Sequence, residues 1–123
     1  MRITIETIPH SKQRYKTVGD WRRLDFSDDL HITVSNLGDW RMEVLVAIHE
    51  LIEALLCRVD GVAEAEVDIF DFDWAPHGNL EEPGDDVEAP YYEQHQRASG
   101  YERLLAADLE VSWVEYERAI NAL

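Results

Sequence analysis

The chain has 123 residues and a formal net charge of −15, and 46% of its residues are hydrophobic. This length suits a single domain over residues 1–123, and the hydrophobic share predicts a folded chain. Binding to nucleic acids or to anionic membrane surfaces needs an excess of Lys and Arg, so we expect neither a nucleic-acid partner nor a membrane partner.

The acidic excess lies in the second half of the chain. Residues 1–58 carry a net charge of −1, residues 59–123 carry −14, and residues 60–93 hold twelve acids without one Lys or Arg. Such a run is typical of a solvated acidic surface, of a rim around a metal site, or of a surface that mimics a nucleic acid. The single Cys57 excludes an internal disulfide, and the first ten residues lack the apolar core of a secretory signal. We therefore expect a cytoplasmic protein.

Three extended segments come first along the chain. Residues 2–8 alternate between Ile and polar residues, which predicts a strand that Pro9 ends. Residues 13–24 read as a second extended segment, folded as a hairpin with its turn at Gly19. Residues 30–37 alternate most clearly and predict the best-defined strand.

The strongest helical pattern covers residues 39–58, with Asp39 as its N-cap. Residues 62–72 are ambiguous between a short strand and an irregular acidic segment. Residues 73–90 are rich in Pro and Gly and predict a long loop, which could form a lid over a functional site.

Residues 91–123 predict a long C-terminal helix, bent near Ser99-Gly100. The predicted fold class is therefore α+β: a small three-stranded sheet packed on a central helix and a long C-terminal helix.

The central helix places His49 and Glu53, four residues apart, side by side within its apolar stripe. Glu50 lies at the border of that stripe. A buried imidazole and carboxylate cost free energy unless they pair with each other or hold a cation. Two interpretations stay open: a structural hydrogen bond between them, or two metal ligands on one helix face.

The segment Val46–Glu53, with the sequence VAIHELIE, resembles the active-site helix of zincin metallopeptidases. The resemblance implies a zincin-like fold in which residues 31–35 form an edge strand before the helix. It also implies a Zn²⁺ ion, or another divalent transition metal, with Glu50 as the general base for the metal-bound water. The family has a second His where this chain has Glu53, and a carboxylate can also ligate zinc.

A third ligand can come from the C-terminal helix, where His95 and Glu102 lie in one apolar stripe two turns apart. We predict that His95 is the third ligand. Glu102 is then either a fourth ligand or a partner that fixes an imidazole. The sequence thus predicts a small metal-binding protein of the zinc-dependent hydrolase or peptidase type.

The alternative is a non-enzymatic acidic protein that binds a basic protein or peptide surface, or mimics DNA, and whose His/Glu pairs are structural. The size and acidity of the chain are also typical of bacterial or phage-encoded accessory proteins. The apolar stripe of the C-terminal helix is long enough to pack against a second chain, so a homo-oligomer could form there. That stripe consists of Leu109, Trp113, Tyr116 and Ile120.

Overall fold

The computed structural model describes residues 1–24 and 26–123. Over these residues the fold is α+β, as predicted. The strands are β1 (Ile3–Ile8), β2 (Gly19–Arg23) and β3 (Leu30–Ser35), and the helices are α1 (Trp40–Asp60), α2 (Glu64–Asp73), α3 (Tyr92–Asp108) and α4 (Trp113–Asn121).

The strands form one sheet in the order β1-β3-β2. β3 runs parallel to β1 and antiparallel to β2, so that Ile5 and Trp21 both lie opposite Ile32. The strand before α1 is therefore central, and the edge strand expected from the zincin resemblance is wrong. β1 and β2 are not neighbours in the sheet, because β3 lies between them. This pairing joins residues far apart in the chain, so the alternation of residues within one strand does not predict it.

β2 begins at Gly19, so the hairpin turn predicted there is wrong. The glycine serves close packing instead: a Cβ at this position would lie 2.7 Å from Cγ of Glu50 and 2.7 Å from Cγ1 of Val46. β2 can therefore approach α1 closely only because residue 19 has no side chain.

α1 confirms the predicted central helix. The Asp39 side chain accepts a hydrogen bond from the backbone N–H of Arg41 at its start, and Gly61, with φ 74°, ends it in the left-handed conformation. α1 packs against β2, β3 and α3. Its buried face contains both apolar residues and the predicted site residues His49 and Glu53.

α2 covers most of the segment whose structure was ambiguous in sequence, and it is neither a strand nor irregular. Only Val67 in it is buried, with Phe70 partly buried against the core. Glu66 and Asp73 on its other faces are exposed. The apolar stripe is so narrow that the helical period is hard to recognise in the sequence.

The C-terminal helix is two helices, and the bend predicted near Ser99-Gly100 is wrong. Gly100 lies inside α3, and the chain turns after Asp108, where Glu110 has a φ of 57°. Ser112 then starts α4 by accepting a hydrogen bond from the backbone N–H of Glu115. The Ser-x-x-Glu spacing is a capping signal that marks this boundary in the sequence.

α4 folds back onto the core of its own chain. Tyr116 is only 1% exposed, and the other members of the C-terminal stripe are partly buried against the same core. Those side chains therefore already have partners within the chain. Among the described residues, no helix combines the length and the apolar character needed to cross a bilayer.

Candidate metal centre

Three of the predicted site residues meet between α1 and α3. Nε2 of His49 lies 3.0 Å from Nδ1 of His95 and 3.2 Å from Oε2 of Glu53, and Nδ1 of His95 lies 2.9 Å from the same oxygen. The three residues are buried, with 7%, 6% and 4% exposure for His49, His95 and Glu53. Ligand atoms around a tetrahedral zinc ion, at about 2.0–2.1 Å from the metal, are about 3.3 Å apart. The triangle of atoms is therefore close to one face of such a tetrahedron.

Glu102 lies on the other side of His49. The Nδ1–H of His49 donates to Oε1 of Glu102 over 2.8 Å, and the hydroxyl of Tyr116 donates to the second oxygen of the same carboxylate. The sequence left two roles open for Glu102. Its position is that of a partner fixing an imidazole. It belongs to neither of the two groups that could hold an ion, His49, Glu53 and His95, or Glu82, Asp85 and His95.

The loop predicted for residues 73–90, called the acidic loop below, supplies the matching partner for His95. The Nε2–H of His95 donates to Oδ1 of Asp85 over 3.2 Å, and Oε2 of Glu82 is 3.7 Å from the same nitrogen. Pro83 and Gly84 are buried between them in a single 3₁₀ turn. A Cβ on Gly84 would lie 2.3 Å from Nδ1 of His95, so only glycine lets the loop lie on this ring. The loop thus occupies the place expected of a lid.

Glu53 is oriented by a hydrogen bond from Trp21 in strand β2. The indole N–H of Trp21 donates to Oε1 of Glu53 over 3.0 Å, which leaves Oε2 to face the two histidines. Each of the three residues therefore has its outer polar atom fixed by a neighbour, while its inner polar atom faces the same point. Carboxylate and backbone partners orient metal-binding histidines in this way.

The carboxylates and the imidazoles of the cluster stabilise each other's charged forms, whereas the two imidazoles repel each other. Burial lowers the pKa of both histidines, but hydrogen bonds to carboxylates outweigh it: the pKa of His49 lies well above its usual value, and Asp85 and Glu53 raise that of His95 to about 9. Burial likewise raises the pKa of Glu53, but the hydrogen bonds from His49 and His95 lower it to about 2. A positive charge between these side chains is thus strongly favoured, and a proton or a metal ion can supply it.

Glu50 lines a cavity of about 60 Å³ beside the cluster. The rest of its wall includes Gly19, Asp71, Tyr91 and Gly84. By its volume the cavity can hold a few water molecules. Burial, followed by the negative charge of Glu53, raises the pKa of Glu50 well above its usual value. A carboxyl group with a raised pKa beside a candidate metal site is suited to exchange protons near neutral pH.

Several acids of residues 60–93 hold this site together. Asp86 accepts hydrogen bonds from the indole of Trp74 over 3.1 Å and from the backbone N–H of Glu88 over 3.0 Å, which anchors the loop. Asp71 accepts one from the hydroxyl of Tyr91 in the cavity wall. Part of the acidic run therefore has a structural role around the cluster, beyond the solvated surface that its composition suggested.

The remaining histidines pair elsewhere: His10 with Ser35, His31 with Glu6, and His77 with Asp86. Sequence reasoning missed Trp21, Asp85 and Tyr116 as partners of the cluster. Tyr116 lay in the predicted C-terminal stripe and Asp85 in the acidic loop, but no local pattern marked Trp21, which reaches Glu53 across 32 positions of the chain.

Two imidazole nitrogens and one carboxylate oxygen, next to a cavity that can hold water, are the components of a three-ligand site with an open coordination position. Such a site can bind a metal and polarise a water molecule or a carbonyl group. No protein-family model, curated protein or solved structure matches this chain.

Proposed function

We propose that this chain is a metalloprotein that binds Zn²⁺, or another divalent transition metal, through His49, Glu53 and His95. One observation carries the proposal: the inner atoms of all three side chains face one point, while Glu102, Asp85 and Trp21 hold the outer atoms. A purely structural hydrogen-bonded pair needs only two residues. The cluster instead recruits groups from β2, α1, the acidic loop, α3 and α4 around one centre.

The donor set favours zinc among common metals. Two imidazoles and one carboxylate form a known type of catalytic zinc site, whereas Ca²⁺ and Mg²⁺ prefer sites made of oxygen alone. Cu²⁺ also binds imidazole and generally binds such donors more tightly than Zn²⁺, so geometry and the availability of the metal would decide between the two.

The proposed chemistry is hydrolysis by a metal-bound water. Three protein ligands leave one position of a tetrahedral ion free, and the cavity adjoins the cluster on the side lined by Glu50. Glu50 would take a proton from the bound water and return it to the leaving group, the role that the resemblance to zincins implies. Glu53 in place of a second His makes the site more anionic, so the bound water would be less acidic than at a site with three histidines.

Metal binding is tested on tag-free protein stripped with EDTA and titrated with ZnCl₂ against a chromophoric chelator. We expect one zinc per chain and a rise in unfolding free energy of about 4.1 kcal/mol at free zinc of about 1,000 times the Kd. Glu53→Gln should abolish this rise, because an amide can still accept from Trp21 while its N–H groups face the two histidines. His31→Ala, a substitution on the sheet outside the cluster, is the matched control.

The absence of any zinc-dependent stabilisation in the wild-type protein would contradict the proposal. It would favour the interpretation in which the His/Glu pairs only form structural hydrogen bonds.

The open coordination position needs a separate test. In Co²⁺-substituted protein, added azide or cyanide should change the visible absorption spectrum by replacing a bound water. Glu50→Gln should retain cobalt but shift the pH at which the spectrum changes, because the carboxyl group that exchanges a proton with the water is lost. A spectrum that does not respond to either anion would mean that the protein fills the coordination sphere, and hydrolysis at this metal would be excluded.

A further inference from the structure

The outer edge of β1 is one of the two edges of the sheet in the described part of the chain. Within the described residues β1 pairs with β3 alone, and five of its six residues are exposed. Ile3 is 42% exposed and Ile5 is 50% exposed. A strand edge of this kind is a template for pairing with a further strand, and natural proteins usually protect such edges with charges, Pro or a covering element.

The backbone groups on this edge can be assigned from the hydrogen bonds on the other side. The carbonyl oxygens of Arg2 and Ile8 accept from Leu30 and Asn36, so the even-numbered residues of β1 face β3. Backbone groups alternate along a strand, so the N–H and C=O groups of Ile3, Ile5 and Thr7 face the free edge.

The side chains of β1 divide into two faces. Ile3 and Ile5 lie opposite Leu30 and Ile32, whose side chains are buried, so all four share the face that packs on the helices. α1 covers that face over β2 and β3, and the two isoleucines of β1 remain exposed. Arg2, Thr4 and Glu6 lie on the opposite face, because successive side chains of a strand alternate.

We propose that a second copy of this chain pairs with β1 in antiparallel orientation, about a two-fold axis at Thr4, to form a continuous six-stranded sheet. In this register Ile3 lies opposite Ile5 of the second copy, and each pair exchanges two backbone hydrogen bonds through the groups that face the edge. Arg2 lies opposite Glu6 of the second copy, and the symmetry repeats both pairs.

The charges select this register. Moving the axis to Ile5 keeps the outward groups paired but places Arg2 opposite Ile8, so both ion pairs are lost. Placing the axis midway between Thr4 and Ile5 shifts the register by one residue, so that outward groups lie opposite inward ones and the hydrogen bonds are lost. Residues 2–8, which comprise β1 and the residue before it, carry one base, Arg2, and one acid, Glu6. This segment is therefore locally neutral in a chain of net charge −15, whose acidic surfaces repel a second copy.

The experiment is sedimentation velocity of the full chain over a range of concentrations, with Arg2→Glu, Glu6→Arg and the double exchange of both. The wild-type chain should dimerise reversibly. Each single substitution puts like charges opposite each other twice per dimer and should raise the dimer Kd roughly tenfold or more. The double exchange restores opposite charges and should recover dimerisation to near the wild-type level.

Circular dichroism shows whether each variant keeps its fold, and Arg2→Glu leaves the pair between His31 and Glu6 intact. A wild-type chain that stays monomeric at about 100 µM, well above the Kd of a specific dimer, would overturn the proposal. So would a dimer whose Kd in both single variants equals that of the wild-type chain, since its interface would then lie elsewhere. Neither outcome depends on metal binding at the cluster.

Discussion

Replacing Gly84 by Ala tests whether the acidic loop fixes His95 as a ligand. A Cβ at residue 84 would lie 2.3 Å from Nδ1 and 2.5 Å from Cγ of the His95 ring. Non-bonded carbon atoms pack at about 3.5–4.0 Å, so the ring and the loop must separate by about 1 Å. Metal–ligand distances vary by only about 0.2 Å between good sites, so a displacement of this size removes His95 from the coordination sphere.

The alternative is that the loop moves and the ring stays. Asp85 then leaves Nε2 of His95, and the loss of such a partner weakens metal binding about 10–100-fold. Either movement predicts a zinc Kd at least about tenfold above that of the wild-type protein. Overpacking should also lower the stability of the metal-free protein by about 1–3 kcal/mol.

The assay is competition of each variant with a chromophoric chelator for zinc, together with urea unfolding in EDTA. Gly100→Ala is the matched control, because a Cβ there meets no atom within 4 Å. Gly100 lies in α3, the helix that carries His95, so Ala should stabilise the chain by about 0.5–1 kcal/mol and leave the zinc Kd unchanged. A Gly84→Ala protein with wild-type zinc affinity and unchanged stability would refute the argument.

Three further predictions concern the surroundings of the cluster. Glu102→Gln should weaken zinc binding about 10–100-fold in the same competition assay, because a neutral amide orients the imidazole less strongly; an unchanged Kd would argue against its role as a partner. Trp21→Phe removes the hydrogen-bond donor to Glu53 and leaves a buried carboxylate oxygen without its partner. The substitution should lower the free energy of unfolding in urea by about 1–3 kcal/mol, which is more than the loss of apolar area alone would explain. Burial raises the pKa of Asp71 from 3.8 to about 7, so its native carboxyl keeps a proton that the unfolded chain releases at lower pH. The contribution of this proton to the free energy of unfolding is complete below about pH 4. It is lost as the pH rises to about 7, with a slope of up to about 1.4 kcal/mol per pH unit. Asp71→Asn should therefore gain stability over the wild-type protein across that interval in EDTA, and parallel stability curves would contradict the assignment.

Helices and strands could be predicted from the sequence where it contains both a periodic pattern of apolar residues and residues that mark the ends of the element. α1 has a broad apolar stripe between Asp39 and Gly61, and its cap and its end were both visible in the sequence. α2 has neither: Ala63 precedes it without a side-chain hydrogen bond, and a single residue, Val67, is buried. A helix that depends on so few contacts gives a weak periodic signal.

Glycines were the main source of error because one residue type has several uses. Gly19 and Gly100 were both read as places where the chain turns. Gly19 instead permits close contact between β2 and α1, and Gly100 lies within α3. The turn after α3 is made by Glu110 in a left-handed conformation, which sequence rules assign to glycine or asparagine.

The site residues that could be predicted from the sequence are those that the helical periodicity places within an apolar stripe. Polar residues within apolar stripes identified His49, Glu53, His95 and Glu102, and the structure brings these four together. The helical periodicity alone could not distinguish the residues that face the candidate metal position from Glu102, which orients His49. That distinction depends on which ring nitrogen faces which carboxylate, and it is set by the packing of α1 against α3.

The most direct test of the metal site is an anomalous difference map, collected at the zinc absorption edge on crystals grown with ZnCl₂. If the three side chains bind zinc, one strong peak should lie at about 2.0–2.1 Å from Nε2 of His49, Nδ1 of His95 and Oε2 of Glu53, with a fourth coordination position that faces the cavity. A map without a peak between these atoms, or with its only peak at Glu82 and Asp85 on the outer side of His95, would contradict the proposed metal site.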